Sequence, residues 1–186
     1  AFSECESLES ISIPDSVVEL GSGVFSECNE LTSVRIPDSI VIINNNLFKG
    51  CSKLKQIYLP NDLGVIGTYA FYGCSQLGAL TISPNVKVIS EGAFYGCSSL
   101  TSLEIPEAVK DISPQTFCGC TGLTSITIPK GVTQIGHDAF CRCSLLESID
   151  IPSGVETIGA NAFKECNSLK SVVIPSGVSS IECGVF

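Results

Sequence analysis

The chain has 186 residues, a formal net charge of −9, 44% hydrophobic residues and only 16% charged ones. That apolar share excludes a disordered chain, and the acidic balance excludes a nucleic-acid binder, which needs clustered Lys and Arg. No apolar run approaches the roughly 18 residues needed to cross a bilayer, so no membrane insertion is expected. The chain opens without a basic, then apolar leader and contains no Met. It reads as one repeat domain over 1–186, a piece of a longer protein cut in mid-unit at both ends.

From the start of the chain, Leu8, Ile11 and Ile13 follow an L-x-x-L-x-L spacing. Ile11 and Ile13 alternate with Ser10 and Ser12, the mark of a short strand, and Pro14 ends it because proline cannot continue a ladder. Val17 and Leu20 lead onto a return side. The return side closes on a segment of the kind found at 67–74, with Gly67, Ala70, Phe71, Gly73 and Cys74, a spacing that suits one short helical or 3₁₀ turn.

This pattern recurs. Phe2, Phe25, Phe48, Phe71, Phe94, Phe117, Phe140, Phe163 and Phe186 stand 23 residues apart and are all the Phe in the chain. Cys5 through Cys166 and Leu8 through Leu169 keep the same step without insertion or deletion. One such unit cannot bury its own apolar face, but stacked units cover one another. The expected fold is therefore a leucine-rich-repeat solenoid of about eight 23-residue repeats. It has a parallel β-sheet on one face and short 3₁₀ or helical turns and loops on the other. The Phe column predicts an aromatic spine. The Cys column, three residues from both Phe and Leu, reads as small buried thiols.

Function in a regular rod lies where the repeat varies. One outward strand column is mostly small: Ser10, Ser33, Gln56, Ala79, Ser102, Ser125, Ser148 and Ser171. The column two residues on is diverse, with Arg35, Tyr58, Glu104 and Asp150 among its members, and Lys55 stands in a neighbouring varied column. A varied column on a rigid sheet has the character of a recognition face, and Arg and Tyr are common hot-spot residues. The candidate ligand-binding residues are Arg35, Lys55, Tyr58, Glu104 and Asp150, the alternative being ordinary solvated strand residues. Tyr72 and Tyr95 share a phase and should stack, as a second patch or as plain surface packing. Cys118 and Cys141 continue that column, which predicts neighbours at the surface, joined as a disulfide or left as exposed thiols. No catalytic set, metal site or cofactor is expected. The single His, His137, has no His partner, and Cys120 and Cys143 belong to the core.

With these units laid out, the chain resembles the BspA-like leucine-rich-repeat family. Ala93-Phe94-Tyr95-Gly96-Cys97-Ser98-Ser99-Leu100 and Ala70-Phe71-Tyr72-Gly73-Cys74-Ser75 carry the likeness, which runs the whole length. The resemblance implies a curved parallel-sheet solenoid and a surface or secreted location, with a cytoplasmic one left open. It also implies adhesion to a protein or glycoprotein partner, such as host extracellular matrix, and no shared catalytic residues. Departures are Ser83-Pro84, where Pro falls one residue late, and Asn44, Ser90, Ser113 and Glu182 in the Gly21 column. Two functions are expected to compete: a non-catalytic recognition module, and a structural spacer without its own ligand. Ends cut in mid-unit also predict end-to-end self-association.

Overall fold

The computed structural model describes all residues, 1–186, and shows a β-solenoid without helices. A first ladder of three-residue strands is made by β1 (Ser33–Arg35) with β3 (Gln56–Tyr58), and again by β6 (Ser102–Glu104) with β8 (Ser125–Thr127). Both pairs are parallel and in register one unit apart, so Arg35 lies against Tyr58 and Glu104 against Thr127. Within each strand the middle residue points inward and is buried, as Val34, Ile57, Leu103 and Ile126 show. Period-2 alternation produces this, and the sequence predicts it.

A second ladder, absent from the sequence expectation, occupies the return side. Its strands are two residues long: β2 (Ile42–Ile43), β4 (Val65–Ile66), β5 (Val88–Ile89), β7 (Asp111–Ile112), β9 (Gln134–Ile135), β10 (Thr157–Ile158) and β11 (Ser180–Ile181). They pair in parallel as β2–β4–β5 and β7–β9–β10–β11. Inward positions here are three apart, as with Ile40 and Ile43, while Val41 and Ile42 between them are exposed. That spacing does not alternate, which is why it does not read as a strand in the sequence.

The expected helical turn around each Phe is instead a run of consecutive turns. Two residues per unit explain it, the second before and the second after Phe, both with positive φ. Tyr69 (φ 53°) and Gly73 (φ 72°) flank Phe71, and Gln115 (φ 56°) and Gly119 (φ 74°) flank Phe117. Left-handed residues four apart break any right-handed helix. The backbone is satisfied between units instead: Phe71 N donates to Ala93 O at 2.8 Å and Gly73 N to Tyr95 O at 2.7 Å, a pattern repeated along the rod.

The core is one cluster whose largest fully buried side chains are Phe25, Phe48, Phe71, Phe94, Phe117, Phe140 and Phe163. Successive rings, from Phe2 to Phe186, stack with centroids 5.4–5.8 Å apart and planes within 12°. The Cys column is more than filler. Cys51 Sγ donates to Phe25 O at 3.0 Å and Cys97 Sγ to Phe71 O at 3.2 Å, each reaching back into the preceding unit. The same carbonyls accept from the backbone N–H of their own unit's Cys, so both lone pairs are used.

Glycine is needed twice over at position 92. Its φ is +58°, and the Tyr69 ring lies in the space that a Cβ would enter. Gly73 shares the left-handed backbone but has room for a methyl. Gly92→Ala should therefore cost about 2–3 kcal/mol, against about 1 kcal/mol for Gly73→Ala, in urea titrations of the two variants. Equal losses would show that the Tyr69 seat contributes nothing.

Candidate functional site

The first ladder projects the first and third residue of each strand outward from a fixed frame, and Arg35, Tyr58 and Glu104 stand there. Lys55 directly precedes β3, and Asp150 lies in the equivalent segment of a later unit, which forms no strand. Arg35 and Tyr58 are adjacent partners in register, and both are exposed. Arg35 donates from Nη1 to Asp15 Oδ1 at 2.7 Å and from Nη2 to Asp38 Oδ2 at 3.2 Å. The Asp15 hydrogen bond, then the charges of Asp15 and Asp38, hold the guanidinium further above its usual range. Sequence reasoning missed this clamp. Its only signal is an acid directly after Pro14 and Pro37, in the unit before Arg35 and in its own unit. Being exposed, the pairs orient Arg35 more than they stabilise the fold.

Lys55 is exposed and donates its backbone N–H to Thr32 O at 2.9 Å, one unit back. Glu104 lines a shallow recess with Ser102, Glu107, Ser125 and Thr127. Asp150 lines the next one, with Glu107, Thr127, Lys130 and Val173. The five candidates thus fall into two groups, Arg35, Lys55 and Tyr58 in one and Glu104 and Asp150 in the other.

What separates them is a lapse in the first ladder. Residues 79–81 form no strand, at the unit where Ser83 takes the usual proline position. Ser83 Oγ donates to Asn61 O and accepts from Asn85 N at 3.1 Å, while Asn85 Nδ2 donates to Asn61 O at 3.0 Å. This serine-built corner stands where other units carry proline; the strand also lapses at 148–150 and 171–173, ahead of Pro152 and Pro175. A recess opens beside it, lined by Gln56, Tyr58, Asn61 and Thr81.

The Tyr72 and Tyr95 rings stack at 4.8 Å, with Tyr69 edge-on to Tyr72 at 5.7 Å and Lys49 Nζ 5.7 Å from the Tyr72 centroid. Their faces are largely taken by one another and by Lys49. Cys118 and Cys141 continue this column but are not at the surface: both are buried, 5% and 7% exposed, and both are free thiols. A cysteine is shorter than the tyrosines of the same column, so it stays below the outline that Tyr95 reaches. Burial raises both thiols, Cys118 to about 11. His137 Nδ1 meets Asp138 Oδ2 at 3.1 Å on the exterior, its polar contact being with its sequence neighbour.

Parallel ladders, a continuous ring stack and cross-unit thiol bonds define a leucine-rich-repeat solenoid. The BspA-type leucine-rich-repeat region matches in six copies over residues 1–121 and 87–186. The chain belongs to that family. It is similar to the crystal structure of a leucine-rich repeat protein from Bacteroides ovatus, with 35% identity over 96% of this chain and 46% of that one, at a TM-score of 0.92. A leucine-rich cell surface protein from Faecalibacterium prausnitzii shares 34% identity over 90% of this chain and 47% of that one, at 0.78. The T. pallidum leucine-rich repeat protein shares 32% identity over 83% and 72%, at 0.79. The chain spans just under half the length of the Bacteroides and Faecalibacterium proteins. No curated protein matches it.

Proposed function

We propose that the chain is a non-catalytic recognition module, on a cell surface or secreted, which binds a protein or glycoprotein on its first ladder. The observation that supports this most is the contrast along β1 and β3. Inward Val34 and Ile57 are fixed by packing, while the outward row changes chemistry from Arg35 to Tyr58 on a rigid frame. Asp15 and Asp38 pre-orient Arg35, which lowers the ordering cost of an interface side chain. Membership of a family that includes a cell surface protein supports the location. An extracellular-matrix glycoprotein fits the reading.

The test is biolayer interferometry of the chain against purified matrix and plasma glycoproteins. Binding by the chain, lost by at least about 30-fold in the Arg35→Ala/Tyr58→Ala double variant, is the expected result, since a hot spot is worth about 2 kcal/mol or more. Unchanged binding by that variant, with its melting temperature retained, places the site elsewhere. Binding to nothing in the panel favours the spacer reading, which the unbroken ring stack from Phe2 to Phe186 supports.

A further inference from the structure

The second ladder carries an apolar patch that the fold does not require. Val41, Ile42 and Val88 are 50%, 43% and 46% exposed, and Val65 lies between Ile42 and Val88 in register. Later strands of the same ladder hold Asp111, Gln134 and Thr157 at the Ile42 position. The chain therefore also builds this ladder with polar residues outward, and packing gives no reason for apolar side chains in water. Exposed Ile42 and Val88 with half-buried Val65 between them form an apolar row of the kind found at contact surfaces.

We propose that a second copy of this chain docks on the patch, the two rods face to face and antiparallel. Charge and shape both favour self-association. Glu19 stands at one end of the outward row and Lys87 beside Val88 at the other, and neither has an ion-pair partner within the chain. A two-fold axis along the strand direction, between β2 and β4, reverses the order of units. It sets Glu19 of each copy over Val88 of the other and Val18 over Lys87, so that Glu19 and Lys87 meet diagonally one residue apart, and it closes the contact. The same rotation sets Val41 of one copy over Gly64 of the other, the outward position without a side chain. A parallel pair would oppose like charges instead, Lys87 to Lys87 and Glu19 to Glu19, which is unfavourable. This surface lies around the corner at Pro37 from Arg35 and Tyr58, so it stands apart from the recognition reading.

Sedimentation velocity over a concentration series tests the proposal. The chain is expected to dimerise. The triple variant Ile42→Thr, Val65→Gln, Val88→Thr borrows residue types that the chain already uses on this ladder. It is expected to remain monomeric with an unchanged circular dichroism spectrum. Lys87→Glu should weaken association at least tenfold, and adding Glu19→Lys should restore it. A chain that stays monomeric at its solubility limit, whatever else its patch adsorbs, overturns the proposal. So does a dimer that the triple variant leaves intact, or a charge swap that fails to rescue.

Discussion

Phe94→Ala should lower the unfolding free energy by about 3–5 kcal/mol, the range for removing a buried aromatic ring. The Phe94 side chain is fully buried, and its ring stacks on Phe71 at 5.4 Å and on Phe117 at 5.7 Å. Its loss leaves a cavity and breaks the spine between two units. In a quasi-one-dimensional array the interface between neighbours carries much of the stability. The stacks on either side should therefore lose cooperativity, and the urea transition should broaden as well as shift. Phe71→Ala combined with Phe94→Ala should be less damaging than the two losses added, because they share one contact. A sharp, additive double variant would mean that the rings pack independently.

Alkaline pH should unfold the rod steeply. Desolvation holds the Cys74, Cys97, Cys120 and Cys143 thiols well above their ordinary value of 9.0, and Cys51 is pushed up to about 12. The charge a neighbouring thiol in the column would carry adds to the effect. Above pH 9 the unfolded chain releases these protons and the folded chain keeps them. The unfolded state then binds fewer protons, so stability falls as pH rises; it is fully present below pH 9. Each such thiol loses about 1 kcal/mol between pH 9 and 10, or about 4 kcal/mol for the four most deeply buried. Melting temperatures at pH 7, 9 and 10 measure this, and Cys97→Ala should reduce the slope by one thiol's share. A melting temperature flat from pH 8 to 10 would show that the column is solvated.

The Phe spine, the buried Cys and the first ladder are legible in the sequence because their spacing is invariant and their residue types carry one physical meaning. Val34 between Ser33 and Arg35 needs only period-2 alternation. The second ladder is illegible because Ile40 and Ile43 face inward with two exposed residues between them, a spacing that belongs to no regular strand. The left-handed positions are hidden wherever glycine is absent. Glu27, Tyr69 and Gln115 have φ of 59°, 53° and 56°, and none of these residue types announces it. At the candidate site, the row holding Arg35 and Tyr58 is readable, but the Asp15 clamp is not, since it closes across 20 residues of chain. Ser83-Pro84 stands out as a departure, yet the corner it builds depends on hydrogen bonds to Asn61, which no local pattern reveals. Cys118 and Cys141 share a phase with Tyr95, but phase alone does not say how far a short side chain reaches.

Each thiol of the column from Cys28 to Cys166 reaches back to the Phe carbonyl of the preceding unit, and that carbonyl always lies 26 residues earlier. Every rung thus leaves the same acceptors for the next, whichever rung that is. Copy number is consequently a free variable for the gene: a whole 23-residue block can be gained or dropped and the new neighbours still meet donor to acceptor. A frame-preserving change of one or two codons has no such freedom, because it turns a ring out of the column and strands a carbonyl in the interior.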